Sequence, residues 1–236
     1  SNPLPCAAMR VAALVLAAGR GERFGAPVPK AFLPLSGRAL VLRAVEALAA
    51  APAIDWIVPV LPPPDLDRWA TRAAGLAGCE KLAEGGAGGA ERQDSMRAGL
   101  AALPPEVGWV AVHDAARPLV RPADVSRVVA AAQRTGAALL AVPVRDTLKR
   151  VRDGRIEGTL PRDACWAAQT PQVFRLALLQ EALAKAGADG FLGTDDAQLV
   201  ERLGAPIEVV EGDVRNLKIT WPEDLELAEA IWRQRE

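Results

Sequence analysis

A run of small residues with cations stands near the start of the chain. It reads Leu16-Ala17-Ala18-Gly19-Arg20-Gly21-Glu22-Arg23-Phe24-Gly25, with Lys30 shortly after. Alanine and glycine let the backbone come close to a ligand, and successive N–H groups can cradle phosphate oxygens. Arg20, Arg23 and Lys30 add charge suited to a triphosphate. The segment is not a Walker A loop, which needs Gly-Lys-Ser/Thr. It is not the dinucleotide fingerprint either, because Gly19-x-Gly21 lacks the third glycine at the required place. A tight strand-to-helix turn is the plainer reading. Its position after a strand, together with three cations, favours phosphate binding.

A second group is His113-Asp114-Ala115-Ala116-Arg117-Pro118, at the end of an apolar run. Ligands of open α/β sheets sit at the carboxyl ends of strands. An aspartate there can hold Mg²⁺ through its oxygens, or simply cap a turn. Arg117 can grip a second anion. His113 has no identified acidic or nucleophilic partner in the sequence, so it reads as structural rather than as a general base.

The third group is Gly88-Gly89-Ala90-Glu91-Arg92-Gln93-Asp94-Ser95. Glycines ahead of a helix whose first turn carries Ser95 suit nucleobase or ribose contacts. A flexible loop capped by Asp94 or Ser95 fits the spacing equally. Three later pieces are each compatible with a plain turn or cap: Pro143-Val144-Arg145-Asp146-Thr147-Leu148-Lys149, Gln169-Thr170-Pro171-Gln172 and Gly193-Thr194-Asp195-Asp196. Lys218, in Asn216-Leu217-Lys218-Ile219-Thr220, could close over a phosphate or remain solvated.

The elements that must position these groups alternate between strand and helix. Val11–Leu16 is apolar throughout and reads as a buried strand. Helices are expected over Arg38–Ala50, Asp65–Ala74, Gln93–Leu103, Pro122–Thr135 and Pro222–Gln234. Strands are expected over Ile54–Leu61, Lys81–Glu84, Trp109–His113, Ala137–Pro143 and Ile207–Glu211. Such alternation indicates α/β units on a mostly parallel sheet. Arg145–Leu160 breaks the rhythm, because Asp153-Gly154 between two alternating runs signals a hairpin. It is either an arm projecting from the sheet or an ordinary edge hairpin.

Composition narrows the function. With 28 Lys+Arg against 29 Asp+Glu, the formal net charge is −1. That argues against nucleic-acid or membrane binding through bulk charge. The single histidine excludes a multi-histidine metal site. Cys6, Cys79 and Cys165 are few and far apart, which suits a reducing cytoplasm rather than a disulfide framework. No apolar run reaches the ~20 residues of a membrane span. Ser1–Met9 has no basic segment ahead of its short apolar stretch and does not read as a secretory leader.

Taken together, these motifs make the chain resemble the 2-C-methyl-D-erythritol 4-phosphate cytidylyltransferases of the non-mevalonate isoprenoid pathway. The resemblance spans residues 11–234. It is carried by the Ala-Ala-Gly-x-Gly-x-Arg loop with Pro29-Lys30, then His-Asp-Ala-Ala-Arg-Pro, Pro-Val-x-Asp-Thr, Gln-Thr-Pro-Gln, Thr-Asp-Asp and Asn-x-Lys-x-Thr-x-Pro-Glu-Asp. It implies a Rossmann-like nucleotidyltransferase sandwich of three layers, one domain over residues 10–236 with a dimerisation arm inserted at 144–165.

The resemblance also implies roles. Ala17, Ala18, Gly19, Arg20 and Arg23 would wrap the CTP phosphates, and Lys30 would neutralise charge at the α-phosphate. Gly89, Ser95 and Ala115 would meet the nucleotide. Asp114 would lie near both Mg²⁺, or another divalent cation, and the acceptor. Arg117, Thr147, Arg162, Thr194 and Lys218 would hold methylerythritol phosphate, with Arg162 serving the neighbouring site of a homodimer. Arg23, Lys30 and Lys218 are the expected catalytic cations. Ribitol 5-phosphate is the rival acceptor. Two positions depart from the family pattern: Ala90 stands where the loop often carries Asp, and Leu16 where it often carries Pro.

Overall fold

The computed structural model describes residues 10–18, 24, 28–76, 79–89 and 91–235. Their central feature is a seven-stranded sheet. Its strands are β1 (Arg10–Leu16), β4 (Trp56–Leu61), β5 (Gly86–Ala87), β6 (Val107–Asp114), β7 (Ala137–Pro143), β10 (Trp166–Arg175) and β11 (Glu208–Glu211). They lie in the order β11-β7-β10-β6-β1-β4-β5. Only β10 runs against its neighbours; the β11–β7, β6–β1, β1–β4 and β4–β5 pairs are all parallel.

The period of two along β1 explains the three layers. Val11, Ala13 and Val15 face one side, where α1 (Leu40–Ala49) and α4 (Pro122–Thr135) supply Val41, Val45, Val125, Val128 and Val129. Ala12, Leu14 and Leu16 face the other side. There α3 (Arg92–Ala101), α5 (Leu176–Ala188) and α6 (Asp196–Glu201) supply Met96, Leu100, Leu179, Leu183, Leu199 and Val200. Both faces are covered, so the strand has no polar face. Each fully buried Leu or Val contributes roughly 1.5–3 kcal/mol.

A third, smaller cluster unites distant parts of the chain. Leu35, Leu40, Leu119, Ile219 and Ala228 are buried together. Leu35 belongs to a short hairpin, β2 (Pro34–Leu35) and β3 (Arg38–Ala39), and Ala228 to the C-terminal helix α7 (Pro222–Arg233). Glu229 of α7 accepts from the Ser36 backbone N–H at 2.5 Å and from its hydroxyl at 2.7 Å. Ser36 and Gly37 both have positive φ, 46° and 75°. This left-handed turn presents the Ser36 N–H and hydroxyl to α7.

The expected elements hold with shifts at their ends, and three differ more. Arg38 and Ala39 pair with Pro34 and Leu35 instead of starting α1. Lys81–Glu84 supplies only an isolated bridge, Leu82 to Ile57; the strand is Gly86–Ala87. Gln169-Thr170-Pro171-Gln172 is not a turn but the middle of β10, where the register shifts around a cis Thr170–Pro171 bond. Helices α5 and α6 stand where the sequence pattern predicts no element. The expected hairpin is present as β8 (Lys149–Arg152) and β9 (Arg155–Thr159), a separate two-stranded sheet. Its turn is Asp153-Gly154, with φ of 49° and 74°.

Candidate active site

A cavity of about 220 Å³ opens at the carboxyl ends of the parallel strands. Leu16, Ala17 and Ala18 follow β1, and Asp114, Ala115 and Ala116 follow from the end of β6. Gly89, Glu91, Arg92 and Ser95 come from the β5–α3 connection and the start of α3. Lys30 and Ala31 lie on the 3-10 turn Lys30–Phe32, and Lys218 precedes α7. The walls are tied to one another by backbone bonds. The Ala17 N–H donates to the Val60 carbonyl, the Ala115 N–H to Leu16, and the Ile219 N–H to Ala116.

The glycine-rich wall needs its glycines for space. A Cβ on Gly88 would sit 2.7 Å from the Ala18 Cβ and 2.8 Å from the Ser95 Oγ. Gly88 therefore lets the β1 loop and α3 approach each other. Ser95 Oγ accepts from the Gly89 N–H at 3.2 Å and donates to the Glu91 carbonyl. Asp94 accepts from the Glu91 N–H, an N-terminal cap on α3.

Charge is concentrated around Asp114. Its Oδ1 meets Arg92 Nη1 at 2.5 Å, and its Oδ2 meets Lys218 Nζ at 2.8 Å. Burial alone would raise this carboxyl. The charges and hydrogen bonds of Arg92 and Lys218 outweigh that and hold it well below the usual carboxylate range. Arg92 is shared with a second carboxylate, Asp196, through Nη2–Oδ2 at 2.7 Å and Nε–Oδ1 at 3.3 Å. Burial works against the Arg92 charge, but the two aspartates raise its pKa still further above the ordinary value. Asp196, buried in the first turn of α6, is itself pushed up by burial.

Behind Asp114 lies a hydrogen-bond chain. The Asp114 N–H donates to Thr170 Oγ1 at 3.1 Å, which lies 3.0 Å from His113 Nδ1. His113 Nε2 lies 3.1 Å from the Arg117 carbonyl. A carbonyl can only accept, so Nε2 carries the proton and Nδ1 accepts from the Thr170 hydroxyl. Burial lowers the His113 pKa to about 4, so the ring is neutral near pH 7.

This has a measurable consequence for stability. The folded pKa lies below the ordinary 6.5, so the unfolded chain takes up a proton first as pH falls. Stability is then full above about pH 6.5 and is lost as pH drops toward 4, by roughly 2 kcal/mol between pH 7 and pH 5. Asp196, raised by burial, acts in the opposite direction. Urea unfolding of wild type and His113→Gln across this range separates the two, since the variant lacks only the histidine part. Equal slopes would exclude the histidine as the source.

The family model for 2-C-methyl-D-erythritol 4-phosphate cytidylyltransferase matches residues 11–234. The chain belongs to this family. An enzyme of that name from Pelotomaculum thermopropionicum is 45% identical over 96% of each chain. The crystal structure of 4-diphosphocytidyl-2C-methyl-D-erythritol synthase from Anaerococcus prevotii aligns with a TM-score of 0.84 at 29% identity, covering 95% of this chain and 96% of that one. That of the cytidylyltransferase from Thermus thermophilus aligns with a TM-score of 0.77 at 40% identity, covering 95% and 100%.

Within this cytidylyltransferase fold, the residues singled out by sequence divide into three sets. Ala17, Ala18, Lys30, Gly89, Ser95, Asp114, Ala115 and Lys218 line the one cavity. Gly19, Arg20, Arg23 and Ala90 lie outside the described residues. Arg117, Thr147, Arg162 and Thr194 do not line the cavity. Arg117 lies just beside it, with Nη1 on the Asn216 carbonyl at 2.8 Å and Nη2 on the Ala168 carbonyl at 3.2 Å. Its Nε is buried with no hydrogen-bond partner among the described residues. Thr147 is exposed, and Arg162 Nη1 donates to the Arg145 carbonyl at the base of the hairpin. Thr194 is exposed and bonds to Gln198.

Two charged residues carry no individual role from sequence: Arg92, which lines the cavity, and Asp196, which does not line it but binds Arg92. Arg92 lay inside the third motif but was one of several polar residues of a helix start. By sequence, Asp195 and Asp196 fit a plain turn or a cap. Asp195 is one: its Oδ1 accepts from the Gln198 N–H at 2.9 Å. The Thr-Asp-Asp motif marks the position of Asp196, but its role shows only in its pairing with Arg92, 104 residues away.

Proposed function

We propose that the chain transfers CMP from CTP to 2-C-methyl-D-erythritol 4-phosphate, giving 4-diphosphocytidyl-2-C-methyl-D-erythritol and pyrophosphate in isoprenoid precursor synthesis. The observation that carries this is the cavity itself, where Arg92 and Lys218 hold Asp114 and Lys30 lines the same space, in a chain of this family. The acceptor is a phosphate monoester, already ionised near neutral pH. Its oxygen attacks the α-phosphorus, and the bond to pyrophosphate breaks. No strong base is needed, which agrees with a neutral His113 held outside the cavity. What the protein must supply is in-line positioning and positive charge where negative charge develops.

In this reading, the backbone of Ala17 and Ala18 holds the triphosphate, with Gly19, Arg20 and Arg23 continuing the same loop. Lys30 neutralises the α-phosphate. Gly89, Ser95 and Ala115 contact the nucleoside. Lys218 and Arg117 hold the acceptor phosphate, and Thr147, Arg162 and Thr194 border its path. Asp114 orients Lys218.

The donor set suits a hard divalent cation carried mainly by phosphates. No group of three or more His, Cys, Asp or Glu that could hold a metal is found among the described residues. Mg²⁺ commonly takes one or two carboxylates plus substrate phosphates, and Asp114 provides one. Bound there, the ion would screen the triphosphate and polarise its α-phosphoryl oxygens.

The working form in this proposal is a cytoplasmic homodimer, with residues 144–165 as the arm of a single domain. Val151 and Ile156 oppose each other across the hairpin and are 57% and 65% exposed. A lone two-stranded hairpin is marginal in water, so a partner surface over this apolar pair would stabilise it. Sedimentation should give a dimer for wild type and a monomer for the double variant Val151→Asp, Ile156→Asp. A monomeric wild type at micromolar concentration overturns the dimer. No helix among the described residues is long and apolar enough to cross a membrane.

The direct test is pyrophosphate release from CTP with each of the two sugar-alcohol phosphates. Release is expected with 2-C-methyl-D-erythritol 4-phosphate, in line with the relatives, and preference for ribitol 5-phosphate would overturn the assignment.

A further inference from the structure

The mechanism above gives no part to Asp196, a carboxylate 1% exposed whose two oxygens both meet Arg92. A guanidinium is a planar fork with more than one edge. Here the Nε–Nη2 edge lies on Asp196, and only Nη1 reaches Asp114 Oδ1. Asp114 Oδ2 is thereby left to Lys218.

We propose that Asp196 is a positioning residue of the transfer reaction: by occupying one edge of Arg92, it fixes the orientation in which Asp114 presents Oδ2 to Lys218. With that edge vacant, Arg92 would turn to grip both Asp114 oxygens, the stronger two-bond arrangement. Lys218 would then lose its anchor.

The placement of Asp196 is itself closely set. Gln172 Oε1 accepts from the Ala197 N–H at 2.8 Å, and Gln172 Nε2 donates to Asp195 Oδ2 at 2.8 Å. Gln172 lies on β10, the strand that also carries Thr170, whose hydroxyl accepts the Asp114 N–H. One strand thus sets the positions of both carboxylates that share the guanidinium. The formal charges of Arg92, Lys218, Asp114 and Asp196 cancel. Losing Asp196 makes the group cationic, which favours an anionic nucleotide while disturbing the geometry.

The expected result for Asp196→Asn is a kcat lowered about 10–100-fold with no rise in KM for CTP. A general loosening of the site would raise KM instead, and that outcome, or a wild-type kcat, overturns the proposal. Arg92→Lys, which cannot fork to two carboxylates, should give a similar loss. In the double variant the losses should not multiply, staying within about threefold of the worse single change. Multiplying losses would mean that Asp196 acts independently of Arg92, and would overturn the proposal. Where Asp196→Asn fails to fold, Arg92→Lys carries the kinetic test alone.

The inference rests on the transfer reaction proposed above, so wild-type pyrophosphate release is measured first and judges that reaction. A crystal structure of Asp196→Asn, or of Arg92→Lys where that variant alone folds, judges the positioning role without turnover. In Asp196→Asn, Arg92 should lie across both Asp114 oxygens with Lys218 Nζ withdrawn from Oδ2. In Arg92→Lys, Asp114 should be turned from its present orientation. An unchanged Asp114–Lys218 contact in the structure solved overturns it.

Discussion

Lys30→Ala should lower kcat for CMP transfer by on the order of 10²–10³, or about 3–4 kcal/mol of transition-state stabilisation. The chain should remain folded. Lys30 lies on a short 3-10 turn whose core contribution comes from its neighbours Ala31 and Phe32, which are buried. Truncating Lys30 leaves that packing in place. The loss is proposed to fall on kcat because charge at the α-phosphorus is greatest as the new bond forms. The check is steady-state kinetics with thermal unfolding of the same preparation. Wild-type turnover by a folded Lys30→Ala enzyme would sink the proposed role.

Lys218→Ala is expected to cost a comparable 10²–10³ in kcat. Its side chain is about half exposed, and its neighbour Ile219 does the packing. Asp114 keeps Arg92 at Oδ1 after the change, so a buried carboxylate is not left without a counter-charge. Folding should therefore be spared while the acceptor phosphate loses its grip. Saturation curves for the acceptor should show a raised KM in addition to the lower kcat, unlike Lys30→Ala. Identical KM values for the two variants would contradict the division of labour proposed between the lysines.

Much of this architecture could be read before any coordinates. The six apolar residues of Val11–Leu16 require cover on both faces, and the sheet provides it. Asp153-Gly154 specifies its turn because both residues tolerate positive φ. The gathering of Lys30, Asp114 and Lys218 is implied by the family resemblance rather than by any local pattern, and all three line the cavity. Strand β10 was hidden for a physical reason. Its buried Gln169, Thr170 and Gln172 look like surface residues, and Pro171 interrupts the alternation. Each polar group is satisfied across the fold, Gln169 at the Asp213 carbonyl, Thr170 at His113 and Gln172 at α6. Such partners are far apart in sequence. The same holds for Arg92 and Asp196, whose meeting depends on tertiary geometry and leaves no local periodicity.

The small cluster under α7 bears on how the enzyme comes into being. The hairpin at residues 34–39 is synthesised well before the helix that holds it, because its Ser36 is bound by Glu229, 193 residues later. Lys218 reaches Asp114 from the segment that leads into that same helix. A nascent chain that has already formed its sheet thus still lacks one wall of the cavity. Lys30 and Lys218 come to line the same cavity only after synthesis has delivered the segment that leads into α7, so a half-made chain holds the loop that would wrap a nucleotide without the group that would spend it.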